Sequence, residues 1–401
     1  MTEVSRLAHR PEVDLLLCCA RTHLSSEKVD QIRALLHSQM DWPYLLRMAG
    51  AHGMIPLLYM HLQKNSPDLI PQTIRDQLRN HFLANAGHNL ILTEELLKLL
   101  HLFETNGIPA VPYKGPLLAG SVYGDLALRT FGDLDIVVPR QDFKRAKALL
   151  LSQEYRPDLS LTPELEIALV QSDFECRFVR DDGKITVDFQ WGEPKDLPYP
   201  MNFELFWGGL EKAPLGGRMV STFSPGDLVL ILSMHGAAHC WERLNWICDL
   251  AELIRAHPRI DWKGVIDRAE RLGWRRILFL GLFLAHDLLQ TILPEEIWEK
   301  IRGDPSVQSL ANQVREILFG DKNAPIGTLE RSLFYLKMME RFQDRIGYCL
   351  RMAFHPTVVD WEIFPLPRPL FFFYHLIHPL RVAGKYGWLY LRQLFPGESL
   401  S

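Results

Sequence analysis

One short run limits the folds open to this chain more than any other: Lys114-Gly115-Pro116-Leu117-Leu118 … Arg129-Thr130-Phe131-Gly132-Asp133-Leu134-Asp135-Ile136-Val137-Val138. Its end reads as a strand, in which alternate residues project to the same face. Asp133 and Asp135 then point one way, while Leu134, Ile136 and Val138 point the other way, into a core. Carboxylates held side by side on a rigid element repel each other, and the usual remedy is one or two Mg²⁺ ions that also grip nucleotide phosphates. The plainer reading is a solvated acidic pair at a strand end. The surroundings favour a site. Val111-Pro112-Tyr113 is an extended run ending in Lys114-Gly115, and Pro116 suits the first position of a helix. Leu117, Leu118, Ser121, Val122 and Asp125 follow at helical spacing. A strand feeding through glycine into a helix aims backbone N–H groups at an anion.

The run Tyr113-Lys114-Gly115 … Leu118 … Tyr123-Gly124 … Arg129 … Asp133-Leu134-Asp135-Ile136-Val137-Val138 resembles the nucleotidyltransferase superfamily, whose best known member is DNA polymerase β. Within it, the pattern is similar to the bacterial group called nucleotidyltransferase family 5. The resemblance extends from about residue 40 to about residue 255 and includes a later His-Gly-x-x-His segment. It implies an α+β fold, with a small mixed β-sheet core flanked by N- and C-terminal helical regions. It also implies transfer of a nucleoside monophosphate from an NTP, with Mg²⁺ or Mn²⁺. The superfamily's usual Gly-Ser or Gly-Gly is Gly115-Pro116 here. Gly120-Ser121 stands nearer Asp133 but falls inside the helix, so Gly115 is preferred for the phosphate contact.

The resemblance also asks for a third carboxylate on a neighbouring strand. Phe174–Val179 and Ile185–Trp191 flank Asp181-Asp182-Gly183-Lys184, and Asp-Gly between alternating strands signals a hairpin. Ile185, Val187, Phe189 and Trp191 share one face; Thr186, Asp188 and Gln190 share the other. With Asp182-Gly183 as a two-residue loop, Asp188 lies opposite Arg177. Asp188 is then either half of a cross-strand ion pair or the third site carboxylate, and its polar setting in an apolar strand favours the site. The implied roles follow. Asp133, Asp135 and Asp188 hold metal and carry the chemistry, with Asp188 as general base. Lys114, Gly115 and Arg129 meet the nucleotide, although Lys114 also fits a solvated strand end and Arg129 also fits a pair with Asp125.

A chain of 401 residues has room for several domains, and a net charge of −4 gives no global pull toward nucleic acid. Cys18, Cys19, Cys176, Cys240, Cys248 and Cys349 show neither Cys-x-x-Cys nor secreted-scaffold spacing, and read as reduced thiols. With no signal region at Met1-Thr2-Glu3-Val4 and only short apolar runs such as Ile277–Ala285, a soluble cytoplasmic enzyme is expected. Four regions are expected: 1–105 helical, 106–220 the α/β core, 221–325 helical and packed on the core, and 326–401 helical, aromatic and basic. In the first, Ser26 with Asp30 and Asp41-Trp42-Pro43 mark helix starts, and one long helix spans Pro71 to about Thr105, loosened near Gly87. Arg140–Glu154 is expected as a helix, and Glu193–Met201 and Ala213–Gly217 as loops.

Ser224-Pro225-Gly226-Asp227 is a good helix start. Continued as one helix at about 100° per residue, it places His235, His239, Glu242, Trp246 and Asp249 on one stripe. That stripe suggests a helix facing a wet cleft, and the resemblance gives His235 and His239 a place at the nucleotide or acceptor site. The spacing of the two histidines also fits a zinc pair, but Gly236 replaces the glutamate a zinc protease needs, and only Glu242 or Asp249 could add a ligand. Between Glu362 and Glu398 there are no acids, while Arg368, Arg381, Lys385 and Arg392 interleave with Phe371, Phe372, Phe373, Tyr374, Trp388 and Tyr390. This segment (362–398) could contact RNA, a membrane surface or a partner protein; the preferred reading packs its aromatics onto the body, since Pro365, Pro367, Pro369 and Pro379 break any long amphipathic face. The expectation is an Mg²⁺-dependent enzyme that takes an NTP and an acceptor hydroxyl on a protein, RNA or small molecule. The alternatives are a nucleotide-sensing or partner-binding module on the same fold, and a zinc hydrolase centred on His235 and His239.

Overall fold

The computed structural model describes residues 10–158, 175–191, 203–320, 326–356, 358–364, 366 and 368–394. Its first part is helical: α1 (Pro11–Cys19), α2 (Ser26–Leu36), α3 (Trp42–Ala51), α4 (Ile55–Asn65) and α5 (Gln72–Thr105). Ser25, one residue before the expected position, caps α2, and Asp41 caps α3 by accepting from Tyr44 N at 2.9 Å. α5 runs unbroken through Gly87, contrary to the expected loosening. A single glycine costs a helix only about 1 kcal/mol. Next to it, Asn85 and Asn89 donate to backbone carbonyls of the segment Leu126–Arg129, so the helix is anchored where it was expected to yield.

The α/β part follows: β1 (Val111–Pro112), α6 (Pro116–Ser121), β2 (Leu134–Val137), α7 (Phe143–Ser152), β3 (Tyr155–Pro157), β4 (Glu175–Arg180) and β5 (Thr186–Gln190). A 3₁₀ turn at Arg140–Asp142 leads into α7, so that helix is shorter than expected. The strands form a mixed sheet in the order β1-β2-β5-β4-β3, in which only β2 and β5 pair in parallel. β6 (Glu211–Leu215) and β7 (Arg218–Thr222) make a separate hairpin. The expected loop at Ala213–Gly217 is thus the end of β6 and a tight turn, with Gly216 and Gly217 both at positive φ. The expected loop Glu193–Met201 and the hairpin's Phe174 lie outside the described residues.

Helices return with α8 (Pro225–Ala238), α9 (Leu244–Ala256), α10 (Trp262–Leu272), α11 (Arg275–Leu289), α12 (Glu295–Arg302) and α13 (Pro305–Phe319). After these come α14 (Thr328–Met338), α15 (Phe342–Phe354), α16 (Val358–Ile363) and α17 (Tyr374–Leu394). The architecture is therefore α+β, as expected.

Each face of the sheet has its own core. Leu134, Ile136, Val138, Val187 and Phe189 pack with Leu92, Leu96, Leu99 and Phe103 of α5 and with Phe143 and Leu150 of α7. Val111, Tyr113 and Val137 join the larger core, which α1, α3, α4, α8, α9 and α11 build together. Each fully buried Leu, Val or Phe stabilises the fold by about 1.5–3 kcal/mol, so the helices hold the sheet from both sides. Asp133, Asp135 and Asp188 sit on the second face, at the edge of the larger core.

Candidate functional site

β1 ends at Tyr113-Lys114, and the chain turns into α6 through Gly115 at φ 55° and ψ −126°. A β-carbon at Gly115 would stand 3.4 Å from the Asp133 carbonyl oxygen, so the glycine lets this turn pass close to the start of β2. Gly120 does a different job, packing inside α6 against Leu215. Asp133 occupies the bend before β2, and Asp135 is the second residue of the strand. In the parallel β2–β5 pair, Asp135 is the register partner of Asp188. The hairpin register puts Arg177 opposite Asp188, as expected, but the turn is wider than the two-residue Asp182-Gly183 loop: Gly183 N donates to the Arg180 carbonyl at 2.7 Å and Arg180 N to the Ile185 carbonyl at 2.9 Å. Asp135 and Asp188 thus share one sheet face, and Asp133, in the bend before β2, lies near enough for both charges to act on it.

Their surroundings set their charge. Asp135 is buried and accepts from Lys114 Nζ at 2.9 Å. Tyr113 OH donates to Gln190 Oε1 at 2.8 Å and lies 3.5 Å from Asp135 Oδ1. Asp188 accepts from Arg177 Nε at 2.8 Å and from its second guanidinium nitrogen at 3.0 Å. Among the described residues Asp133 has no ion pair. Burial first, and then the charges of Asp135 and Asp188, push its carboxyl up to about 6 against the opposing pull of Lys114 and Arg177. Excess negative charge and hard oxygen donors suit Mg²⁺ or Mn²⁺. Among the described residues no three His, Cys, Asp or Glu side chains are grouped to hold a metal ion. The physical reason is local: Lys114 and Arg177 each draw one carboxylate onto themselves.

Arg129 is not paired with Asp125, whose carboxylate instead caps the following turn by accepting from Ala127 N. Its guanidinium meets Asp249 of α9 through two hydrogen bonds of 2.7 Å, with the two side chains 6 % and 2 % exposed. Burial alone would lower the Arg129 pKa, but Asp249 outweighs it and holds the guanidinium charged. Tyr123 OH donates to the same carboxylate at 2.7 Å. From the other side, Asn89 Nδ2 donates to the Arg129 carbonyl at 2.7 Å. Arg129, expected at the nucleotide, thus has its guanidinium engaged by Asp249 and its carbonyl by Asn89, four residues before Asp133. Neither Asn89 nor the Tyr123–Asp249 bond was read from the sequence; the one available signal was an Asn pair, four residues apart, inside a long helix.

The helix after Ser224 starts as expected, with Ser224 Oγ accepting from Asp227 N at 3.2 Å. It does not run on through Asp249. α8 ends at Ala238 and α9 begins at Leu244, with Cys240 and Trp241 between them at positive φ. The buried Trp241 ring folds back onto Gly236, where an added β-carbon would lie 2.4 Å from it. The single stripe is corrected to two helices meeting at a corner.

His235 and His239 still cluster there, their ring centroids 4.7 Å apart, with the Trp246 ring 5.3 and 5.0 Å away. His235 Nδ1 accepts from Lys114 Nζ at 3.4 Å, which joins this corner to Asp135. Burial, and then Lys114 and His239, hold His235 well below the ordinary imidazole range, so it is neutral. His239 has a solvent-open edge, yet the atoms packed around it and the charge of Lys114 lower it too. Glu242 lies 3.5 Å from Arg331 and Asp249 holds Arg129, so neither completes a zinc site with the histidines. A cavity of about 950 Å³ opens at the far end of α8, lined by Ser224, Asp227, Arg259, Arg268 and Arg271, away from the carboxylates.

The sequence model of a family described as "Uncharacterised nucleotidyltransferase" matches residues 38–290, more than half of the chain. No curated protein matches it. The solution structure of the antibiotic-resistance factor ANT(2'')-Ia is similar at 13 % identity and a TM-score of 0.28, over 57 % of this chain and 93 % of that one. The crystal structure of an antigenic nucleotidyltransferase-like protein from Paracoccidioides brasiliensis is similar at 13 % identity and a TM-score of 0.32, over 53 % of this chain and 96 % of that one.

Proposed function

Because this chain belongs to the family of uncharacterised nucleotidyltransferases, we propose that it moves a nucleoside monophosphate from an NTP to an acceptor hydroxyl at the face formed by Asp133, Asp135 and Asp188. One observation supports the reading: Asp135 and Asp188 are register partners on neighbouring parallel strands, with Asp133 in the bend just before β2 and Lys114 Nζ 2.9 Å from Asp135. Mg²⁺ or Mn²⁺ held by the three carboxylates would supply the charge that neutralises the triphosphate and makes the acceptor hydroxyl more acidic. Lys114, a compact cation on the turn before α6, meets a phosphate once it leaves Asp135. Pro116 has no N–H and Leu117 N already donates to the Lys114 carbonyl at 3.2 Å, so Gly115 N and Leu118 N are the backbone donors that this turn would add to the same anion. Asp188 takes the proton of the acceptor hydroxyl as its oxygen attacks the α-phosphorus; the α–β anhydride bond breaks and pyrophosphate leaves. His235, neutral and hydrogen-bonded to Lys114, with His239 beside it, borders the nucleotide. The acceptor belongs to a protein, an RNA or a small molecule, and the site is cytoplasmic.

A second reading has its own support, since Lys114 and Arg177 already neutralise two of the carboxylates, as in a fold kept for sensing a nucleotide. The test incubates the protein with each α-labelled NTP, Mg²⁺ or Mn²⁺, and cell lysate as acceptor. Transfer of label that Asp133→Asn or Asp135→Asn abolishes supports the enzyme. Thermal stabilisation by an NTP with no transfer in any fraction supports the sensor and rejects the enzyme.

A further inference from the structure

The last helices turn apolar residues outward: of the segment 362–398, expected to pack its aromatics onto the body, Tyr374 is buried but Phe372 and Phe373 face solvent. In α15, Phe342, Ile346, Leu350 and Phe354 recur every four residues and so share one face. That face is open: Phe342 is 72 % exposed, Ile346 44 %, Leu350 54 % and Phe354 51 %. α17 packs against α15 and runs unbroken past Pro379. It repeats the pattern, with Leu376 59 % and Leu380 74 % exposed, continuing Phe372 and Phe373 from the turn before it.

This is a held arrangement. Asp360, fully buried on α16, accepts from Arg381 Nε at 2.6 Å and meets His378 Nδ1 at 2.7 Å. Tyr374 OH donates to the Phe364 carbonyl at 2.6 Å. The polar contacts lie on the inner side of α17 and fix its apolar side toward solvent. An exposed apolar area of this kind marks a contact surface.

Charge says what it contacts. The stretch between Glu362 and Glu398 holds no acid and, besides Arg381, which Asp360 neutralises, carries Arg368, Lys385 and Arg392, on a chain whose net charge is −4. The last turns of α17 read Lys385-Tyr386-Gly387-Trp388-Leu389-Tyr390-Leu391-Arg392. Trp, Tyr, Lys and Arg beside aliphatic residues are the composition favoured where hydrocarbon meets headgroups. The exposed rings of Phe342, Phe354, Phe372 and Phe373 are interleaved with aliphatic Ile346, Leu350, Leu376 and Leu380, a mixed hydrocarbon surface that suits acyl chains better than the basic, aromatic-lined groove that bases stack in. A second copy would bring the same basic stretch against itself. No described helix is long and apolar enough to cross a membrane. We propose that α15 and α17 form a docking surface for an anionic phospholipid bilayer, on which the protein lies without spanning. This goes beyond the transfer reaction and does not rest on it.

The test sediments the full chain with vesicles of phosphatidylcholine alone or mixed with phosphatidylglycerol, at low and high salt. The expected result is sedimentation with the mixed vesicles, weaker by about tenfold or more with neutral ones and weakened by salt. Ile346→Glu with Leu380→Glu is expected to lower binding by about tenfold or more. Should that variant unfold, Lys385→Ser with Arg392→Ser keeps the apolar stripes and is expected to lose only the preference for phosphatidylglycerol. The proposal is overturned if the wild type sediments with neither vesicle, or if the folded apolar variant binds as the wild type does. It is equally overturned if the two apolar substitutions instead dissolve a dimer, or release bound RNA, with no vesicle binding.

Discussion

At the scale of single residues, Asp133 is where the surroundings act most directly on charge. Burial and two neighbouring carboxylates raise its carboxyl to about 6, above the usual carboxylate value of about 4. Ionising it therefore costs the folded state more than the unfolded one. Its contribution favours the fold at low pH and is lost as pH rises from about 4 through about 6. A divalent cation among the carboxylates reverses that loss. Mg²⁺ should accordingly raise the thermal midpoint more at neutral pH than at pH near 5, and equal gains at both would remove the case for a shared ion. Carboxyl carbon NMR gives the direct check: Asp188→Asn should move the Asp133 midpoint down toward the ordinary range, because it deletes a like charge. The acidic residues were legible because strand alternation and one Asp-Gly turn fix their faces locally. Arg129's partner was not. Asp249 is 120 residues away in sequence, and only the packing of α9 onto the α/β part brings the two together.

At the scale of elements, turns decide the geometry, and glycines decide the turns. The β4–β5 turn is wider than two residues but stays centred on Asp182-Gly183, with Gly183 at φ 70°, so the position of Asp188 could be read before any tertiary contact was known. The corner between α8 and α9 could not. Cys240 and Trp241 carry the positive φ there, and neither residue type announces a left-handed backbone. The signal was Gly236, whose missing side chain leaves room for the Trp241 ring. Gly236→Ala should destabilise the protein by about 1–3 kcal/mol through overpacking, read as a lower urea midpoint, and should disturb His235 and His239 at the same corner. Gly115→Ala should behave differently. Its backbone at φ 55° and ψ −126° is strained for any residue with a β-carbon, at about 1–3 kcal/mol. The turn lies beside Asp133, so label transfer should fall in a variant that remains folded. Unchanged transfer would detach this turn from the phosphate. The outward stripes of α15 and α17 were illegible for another reason. Periodicity shows that a helix has an apolar face, but not which way that face looks.

At the scale of the whole molecule, two separate parts of the chain grip the short segment that leads into the acidic face. α5 holds Leu126–Arg129 through Asn85 and Asn89, and α9 holds Tyr123 and Arg129 through Asp249. Asp133 follows four residues later, so its placement inherits the rigidity of both grips. A buried ion pair is weak evidence of net stability, because desolvation offsets its attraction, yet removing one partner strands the other. Asp249→Ala should therefore cost about 3–5 kcal/mol, with Arg129 left charged and unpaired in the core. Arg129→Met combined with Asp249→Leu should lose much less than the two single changes added together, since no charge is stranded. Denaturant unfolding of the four proteins measures that coupling. Transfer activity then separates stability from positioning: the double variant regains stability but lacks the fork that orients the segment, so its rate should stay low. Additive stabilities, or a double variant as active as the wild type, would mean that the Arg129–Asp249 contact neither joins the two parts of the molecule nor places Asp133.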